Sequence, residues 1–91
     1  MKISACCVDL TRNEVDYLEA AGFLPPILLA RLRGAQWRSA TAAALELSPA
    51  TVEEFREAFT EQLAKVGFDE AYEPTAEGRL LEDLIDRFYC P

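Results

Sequence analysis

One stretch of this chain repeats its own pattern, and that echo limits the folds open to it. Val8-Asp9-Leu10-Thr11 leads into Val15, Asp16 and Leu18 with the same spacing by which Leu45-Glu46-Leu47-Ser48 leads into Val52, Glu53 and Phe55. In each copy a short apolar/polar alternation, the period of a half-buried strand, meets a hydroxyl residue and then a helical period. Thr11 and Glu14 stand in capping-box spacing, in which each side chain accepts from the other's free backbone N–H. Ser48 is followed by Pro49, whose missing N–H costs nothing at the first helical position.

The echo continues downstream. Each helix runs into Gly-Phe, at Gly22-Phe23 and Gly67-Phe68, which predicts a left-handed glycine stop at both places. After each stop comes proline and another helical stretch. The first runs from Pro25/Pro26 to about Ala35 with Ile27, Leu28, Leu29 and Leu32 apolar. The second runs from Thr75 to about Tyr89 with Leu80, Leu81, Leu84, Ile85 and Phe88 apolar. Gly78, in the first turn of that last helix, costs about 1 kcal/mol of helix propensity and therefore signals close approach of another backbone or a ligand.

These elements predict a small, helix-dominated α+β domain of order βααβαα. Two strands, about 2–9 and 39–47, pair in a two-stranded sheet covered by about four helices. A pseudo-twofold relation between the halves makes the strands antiparallel. The 91 residues form one domain, 1–91, divisible into two βαα pseudo-repeats, 1–38 and 39–91. A sheet of two strands leaves both outer edges unpaired, which opens a route to assembly through strand addition.

Charge is distributed unevenly over this framework. Through residue 47, five acids balance five bases. Beyond it, eleven acids face only Arg56, Lys65, Arg79 and Arg87, so the net charge of −7 resides in the second half. Such a field steers a basic partner and repels nucleic acid. The longest apolar run, from Phe23 to Ala30, is broken by Pro25-Pro26 and cannot span a bilayer. The N-terminus carries one lysine and no apolar segment of signal length. The expectation is a cytoplasmic, bacterial-type protein without membrane contact.

Catalytic and metal chemistry find little to work with. The chain has no histidine, no Gly-x-Ser-x-Gly elbow and no glycine-rich phosphate loop, so it is read as a non-enzyme without cofactor or metal. Three cysteines fit no closed disulfide framework. Cys6 and Cys7 alternate along a strand, so one is expected to pack in the core while the other faces out. A redox pair with Cys90 is disfavoured by the acidic last turn, which raises thiol pKa values.

Three clusters stand out as partner-binding candidates. Glu54, Glu57 and Glu61 form a single carboxylate row on the third helix, read as either a solvated face or a docking face for a basic partner. Asp69, Glu70 and Glu73 lie in the next loop, where Phe68 and Tyr72 are expected to anchor into the core; their spacing is not that of an EF-hand. Arg31, Arg33, Trp37 and Arg38 make the opposite pole, with the composition of an interface hot spot. The competing reading has these arginines pair with the acidic half while Trp37 caps the core. The functional expectation is a small acidic protein–protein interaction module, immunity- or antitoxin-like or an adaptor, docking a basic partner through its second half. The alternative is a structural homo-oligomer, as small as a homodimer, assembled through strand edges with no small-molecule or catalytic site.

Overall fold

The computed structural model of the chain describes residues 6–68 and 70–89. Strand β1 (Cys6–Thr11) buries Cys6, Val8 and Leu10 and exposes Cys7, Asp9 and Thr11. Thr11 ends the strand and caps helix α1 (Arg12–Ala21). The capping box is formed: the Glu14 N–H donates to Thr11 Oγ1 at 3.2 Å and the Thr11 N–H donates to Glu14 Oε1 at 2.8 Å. Gly22 closes α1 in the left-handed conformation, φ 74°. Helix α2 (Pro26–Arg33) follows, with proline in its first turn.

The chain then makes an element that alternation does not reveal. Gln36–Trp37 form β2, a two-residue strand that pairs antiparallel with β3 (Ala42–Leu47). Ser39 and Thr41 build the turn between them, with the Thr41 N–H donating to Ser39 Oγ at 3.2 Å. Strand β3 therefore starts at Ala42 rather than at residue 39. It lies at the centre of the sheet and pairs antiparallel with β1 on its other side, Val8 opposite Leu45. Among the described residues the sheet has three strands and the order is βααββαα, which corrects the two-stranded βααβαα expectation. Antiparallel pairing of the two long strands stands, while β1 runs on to Thr11; residues 2–5 lie outside the described part.

Helix α3 (Pro49–Val66) is capped by Ser48, whose hydroxyl accepts from the Thr51 N–H at 3.2 Å. Its stripe of Val52, Phe55 and Phe59 is fully buried. Helix α4 (Ala76–Arg87) contributes Leu81 and Leu84, and Phe88 just beyond it completes an aromatic cluster. The Phe88 ring centroid lies 4.9 Å from those of both Phe55 and Phe59, within the range of favourable tilted and edge-to-face packing. Phe23 and then Tyr17 extend this contact chain to α1, each step 6.2 Å. Among the described residues one side of the sheet is thus covered by helices and the other is open.

The junction of α3 and α4 explains two glycines. Gly67 ends α3 with φ −74°, not in the left-handed region, so the predicted glycine stop does not hold there. Gly67 is instead a point of contact. A Cβ on Gly78 would collide with the Gly67 carbonyl oxygen and come within 2.8 Å of its Cα. Thr75 locks this crossing: its N–H donates to the Gly67 carbonyl at 2.9 Å, its hydroxyl donates to the Val66 carbonyl at 2.9 Å, and it accepts from the Gly78 N–H at 2.9 Å.

Helix propensity alone makes Gly78→Ala stabilising by about 1 kcal/mol. Forcing a methyl into backbone that cannot yield typically costs about 1–3 kcal/mol, and the contact here is with main chain. The variant is therefore expected to be less stable than the parent in denaturant titration. A raised midpoint would show that the two helices do not meet at these glycines.

Candidate functional site

Because α3 turns Val52, Phe55 and Phe59 inward, helical geometry places Glu53, Glu54, Glu57 and Glu61 in solvent. Glu54, Glu57 and Glu61 border a shallow groove of about 270 Å³ between α3 and the start of α2, floored by Pro25, Ile27, Leu28 and Ala58. Ile27 is 69% exposed there. From its position in the Pro25-Pro26-Ile27-Leu28-Leu29 run, Ile27 reads as a core residue. The helix instead buries Leu28 and Leu32 and leaves Ile27 outside, so the acidic row has an apolar neighbour that sequence reasoning missed.

The other flank of the row is different in character. Glu53, Glu57 and Glu61 share a depression with Arg56 and Thr60. Arg56 Nε is buried and has no hydrogen-bond partner among the described residues. This guanidinium moderates the field on that side of Glu57 and Glu61, whose other side, together with Glu54, borders the groove with Ile27. Among the described residues none of Glu54, Glu57 and Glu61 forms an ion pair.

The loop after α3 does not join this site. Glu70 and Glu73 are exposed and do not line the groove; Asp69 lies outside the described residues. Phe68 and Tyr72 do not anchor into the core as expected. Phe68 is half-exposed, pairing with Pro74 in an isolated bridge, and Tyr72 is 87% exposed with φ 61°. The Thr75 lock closes the loop with backbone hydrogen bonds, so no aromatic anchor is needed.

The basic pole divides into two parts. Arg31 and Arg38 line a cleft of about 270 Å³ on the open face of the sheet, together with Gly34, Gln36, Glu46 and Cys7 among others. Arg33 and Trp37 are exposed but do not line it. Among the described residues Arg31, Arg33 and Arg38 form no ion pair, so the expected pairing with the acidic half is absent. Trp37 does not cap the core either. It is 42% exposed, and the Arg12 guanidinium stacks on its ring at 4.2 Å from the centroid. Arg12 is fixed there by donating from Nε to the Ala40 carbonyl at 2.7 Å and by Asp16 at 3.8 Å. The partner of Trp37 was invisible in sequence because the hairpin turn brings residue 40 to residue 12.

The cysteines alternate as expected: Cys6 is buried and Cys7 exposed with a free thiol. Cys6 is disulfide-bonded while Cys7 is left over, as an odd count requires, so the correction is to the reading of the buried cysteine as only a small core hydrophobe. Cys90 lies outside the described residues. No helix among the described residues is long and apolar enough to cross a membrane. Comparison of the chain with protein-family models, with curated proteins and with solved structures gives no match.

Among the described residues one titratable group is strongly perturbed. The Tyr17 hydroxyl donates to Glu77 Oε2 at 2.5 Å, tying α1 to α4. Burial, then this hydrogen bond and the Glu77 charge, push the phenol well above its ordinary value of 10.0. A group harder to ionise in the folded than in the unfolded chain contributes stability below its unfolded pKa and loses it as pH rises toward the folded value. Stability is therefore expected to fall as pH rises above about 10. Tyr17→Phe should lessen that fall in denaturant titrations run across the alkaline range. An unchanged alkaline slope would contradict the role given to Tyr17.

Proposed function

We propose that the chain is a protein-docking module that receives a basic, amphipathic segment of another protein along the groove between α2 and α3. The observation behind this reading is the joining of an unpaired carboxylate row, Glu54, Glu57 and Glu61, to an exposed apolar residue, Ile27. Lysine and arginine heads on such a segment meet the row while an apolar side chain covers Ile27. The charge accelerates encounter and selects basic partners, and the apolar contact supplies the burial that charge alone does not. An immunity- or antitoxin-like protein, or an adaptor that occludes a basic surface, would work in this way.

Assembly through strand edges has less support. On the outer edge of β1, Thr11 N–H is taken by Glu14, and Arg87 Nη1 lies 3.5 Å from the Asp9 carbonyl oxygen. The opposite edge strand, β2, has only two residues. Short and covered edges are how sheets avoid pairing with neighbours.

The test uses a synthetic helical peptide with lysine and arginine on one face and leucine on the other. Reversing Glu54, Glu57 and Glu61 together to lysine should weaken its binding at least ~10-fold, equivalent to about 1.4 kcal/mol or more. Ile27→Ser, which changes no charge, should weaken it as well. Binding that depends on neither change would refute the groove; binding sensitive to charge but not to Ile27 would reduce it to unspecific attraction between opposite charges.

A further inference from the structure

Helix α2 lies between the two charged features. Ile27, Ala30, Arg31 and Gly34 follow the spacing i, i+3, i+4, i+7, and all four are exposed, so they form one stripe along the helix. At its start the stripe enters the acidic groove through Ile27, beside Glu54, Glu57 and Glu61. At its end it enters the basic cleft through Ala30, Arg31 and Gly34, beside Arg38. Ile27 and Gly34 are separated by about 10 Å along the axis, at 1.5 Å per residue. Acid and base therefore flank opposite ends of one short unpartnered helix face, on the same side of the molecule.

That arrangement is self-complementary. A twofold axis crossing the stripe sets two α2 helices antiparallel and places the basic end of each copy, Gly34 with Arg38, against the carboxylate row of the other. The contact closes on itself, as isologous interfaces do. The small side of Ala30 and the bare backbone of Gly34 let the two helices approach closely, and Ile27 of each copy is covered in the process. Each guanidinium, which forms no ion pair within its own chain although Glu46 lines the same cleft, gains carboxylates from the other copy.

We infer that a second copy of this chain docks on the α2 face, with Arg31 and Arg38 of each protomer paired to Glu54, Glu57 and Glu61 of the other. This rests on the reading of the groove as a docking site for basic groups, supplied here by Arg31 and Arg38 of a second copy rather than by a different protein. The repulsion between two chains of net charge −7 acts at long range and is screened beyond about 8 Å at physiological salt, whereas the contacts at α2 are short-range.

The experiment is a charge exchange followed by sedimentation or light scattering at physiological salt. One variant carries Arg31→Glu and Arg38→Glu, so both ends of its α2 face are acidic. The other carries Glu54→Lys, Glu57→Lys and Glu61→Lys, so both ends are basic. The parent protein should show twice the chain mass at high concentration, and each variant alone should show the mass of one chain. An equimolar mixture of the two should recover the double mass, which two misfolded variants would not do. Ala30→Tyr in the parent, a change without charge, should also give single chains. A parent that stays monomeric, or variants that dimerise on their own as well as the parent does, overturns the inference. If the parent is monomeric but still binds the amphipathic peptide, self-pairing fails while the docking groove stands; if it binds neither, both fail.

Discussion

A buried carboxylate joins the ends of this fold. Glu14 has a side chain only 7% exposed, and its Oε1 accepts from the Thr11 N–H and from the Arg87 guanidinium. The first bond fixes the bend at which β1 becomes α1. The second brings the C-terminal end of α4 to the same point, 73 residues further along the chain. Arg87 is 38% exposed, so the pair is only partly removed from water. Deleting one partner of a fully buried pair costs about 3–5 kcal/mol, chiefly because the other charge is stranded, and Glu14 is the member that would be stranded here. With α4 held in this place, Phe88 reaches Phe55 and Phe59, and the helical layer closes over the sheet.

The local punctuation of the fold is legible in the sequence. Thr11, Ser48 and Thr75 each cap a helix through the side-chain contact their positions imply, and Gly22 takes the left-handed stop. These features depend on residues within four positions of one another, which a sequence displays directly. The close approach at Gly78 is also readable, because an otherwise costly glycine inside a helix needs a reason. Its partner, Gly67, is not readable: a C-terminal glycine has two uses, and only the packing of α4 decides between them.

What was not legible depends on distant pairing. Two residues of β2 carry no period, so Gln36–Trp37 become a strand only because β3 offers them an edge. Tyr72 and Phe68 look like core residues by composition, yet the core is already filled by α3 and α4. The candidate site divides in the same way. The carboxylate row follows from helical spacing alone, whereas its apolar neighbour Ile27 depends on which side of α2 the core takes. The basic pole shows the reverse: Arg31 and Arg38 come together in one cleft, while Trp37 goes to Arg12, a residue that its sequence neighbourhood does not suggest.

The resulting surface is polar in the electrical sense, with carboxylates at one end of α2 and guanidinium groups at the other, and the exposed Ile27 at the acidic end. Partner recognition on this face would combine charge for encounter with a small apolar contact for residence. The most direct measurement is to follow backbone amide NMR signals of the isotopically labelled chain while the basic amphipathic peptide is added. The perturbed amides should cluster at Ile27 and Leu28 on α2 and from Glu54 to Glu61 on α3. Perturbation centred on the loop around Glu70 and Tyr72, or spread evenly over the acidic half, would contradict it.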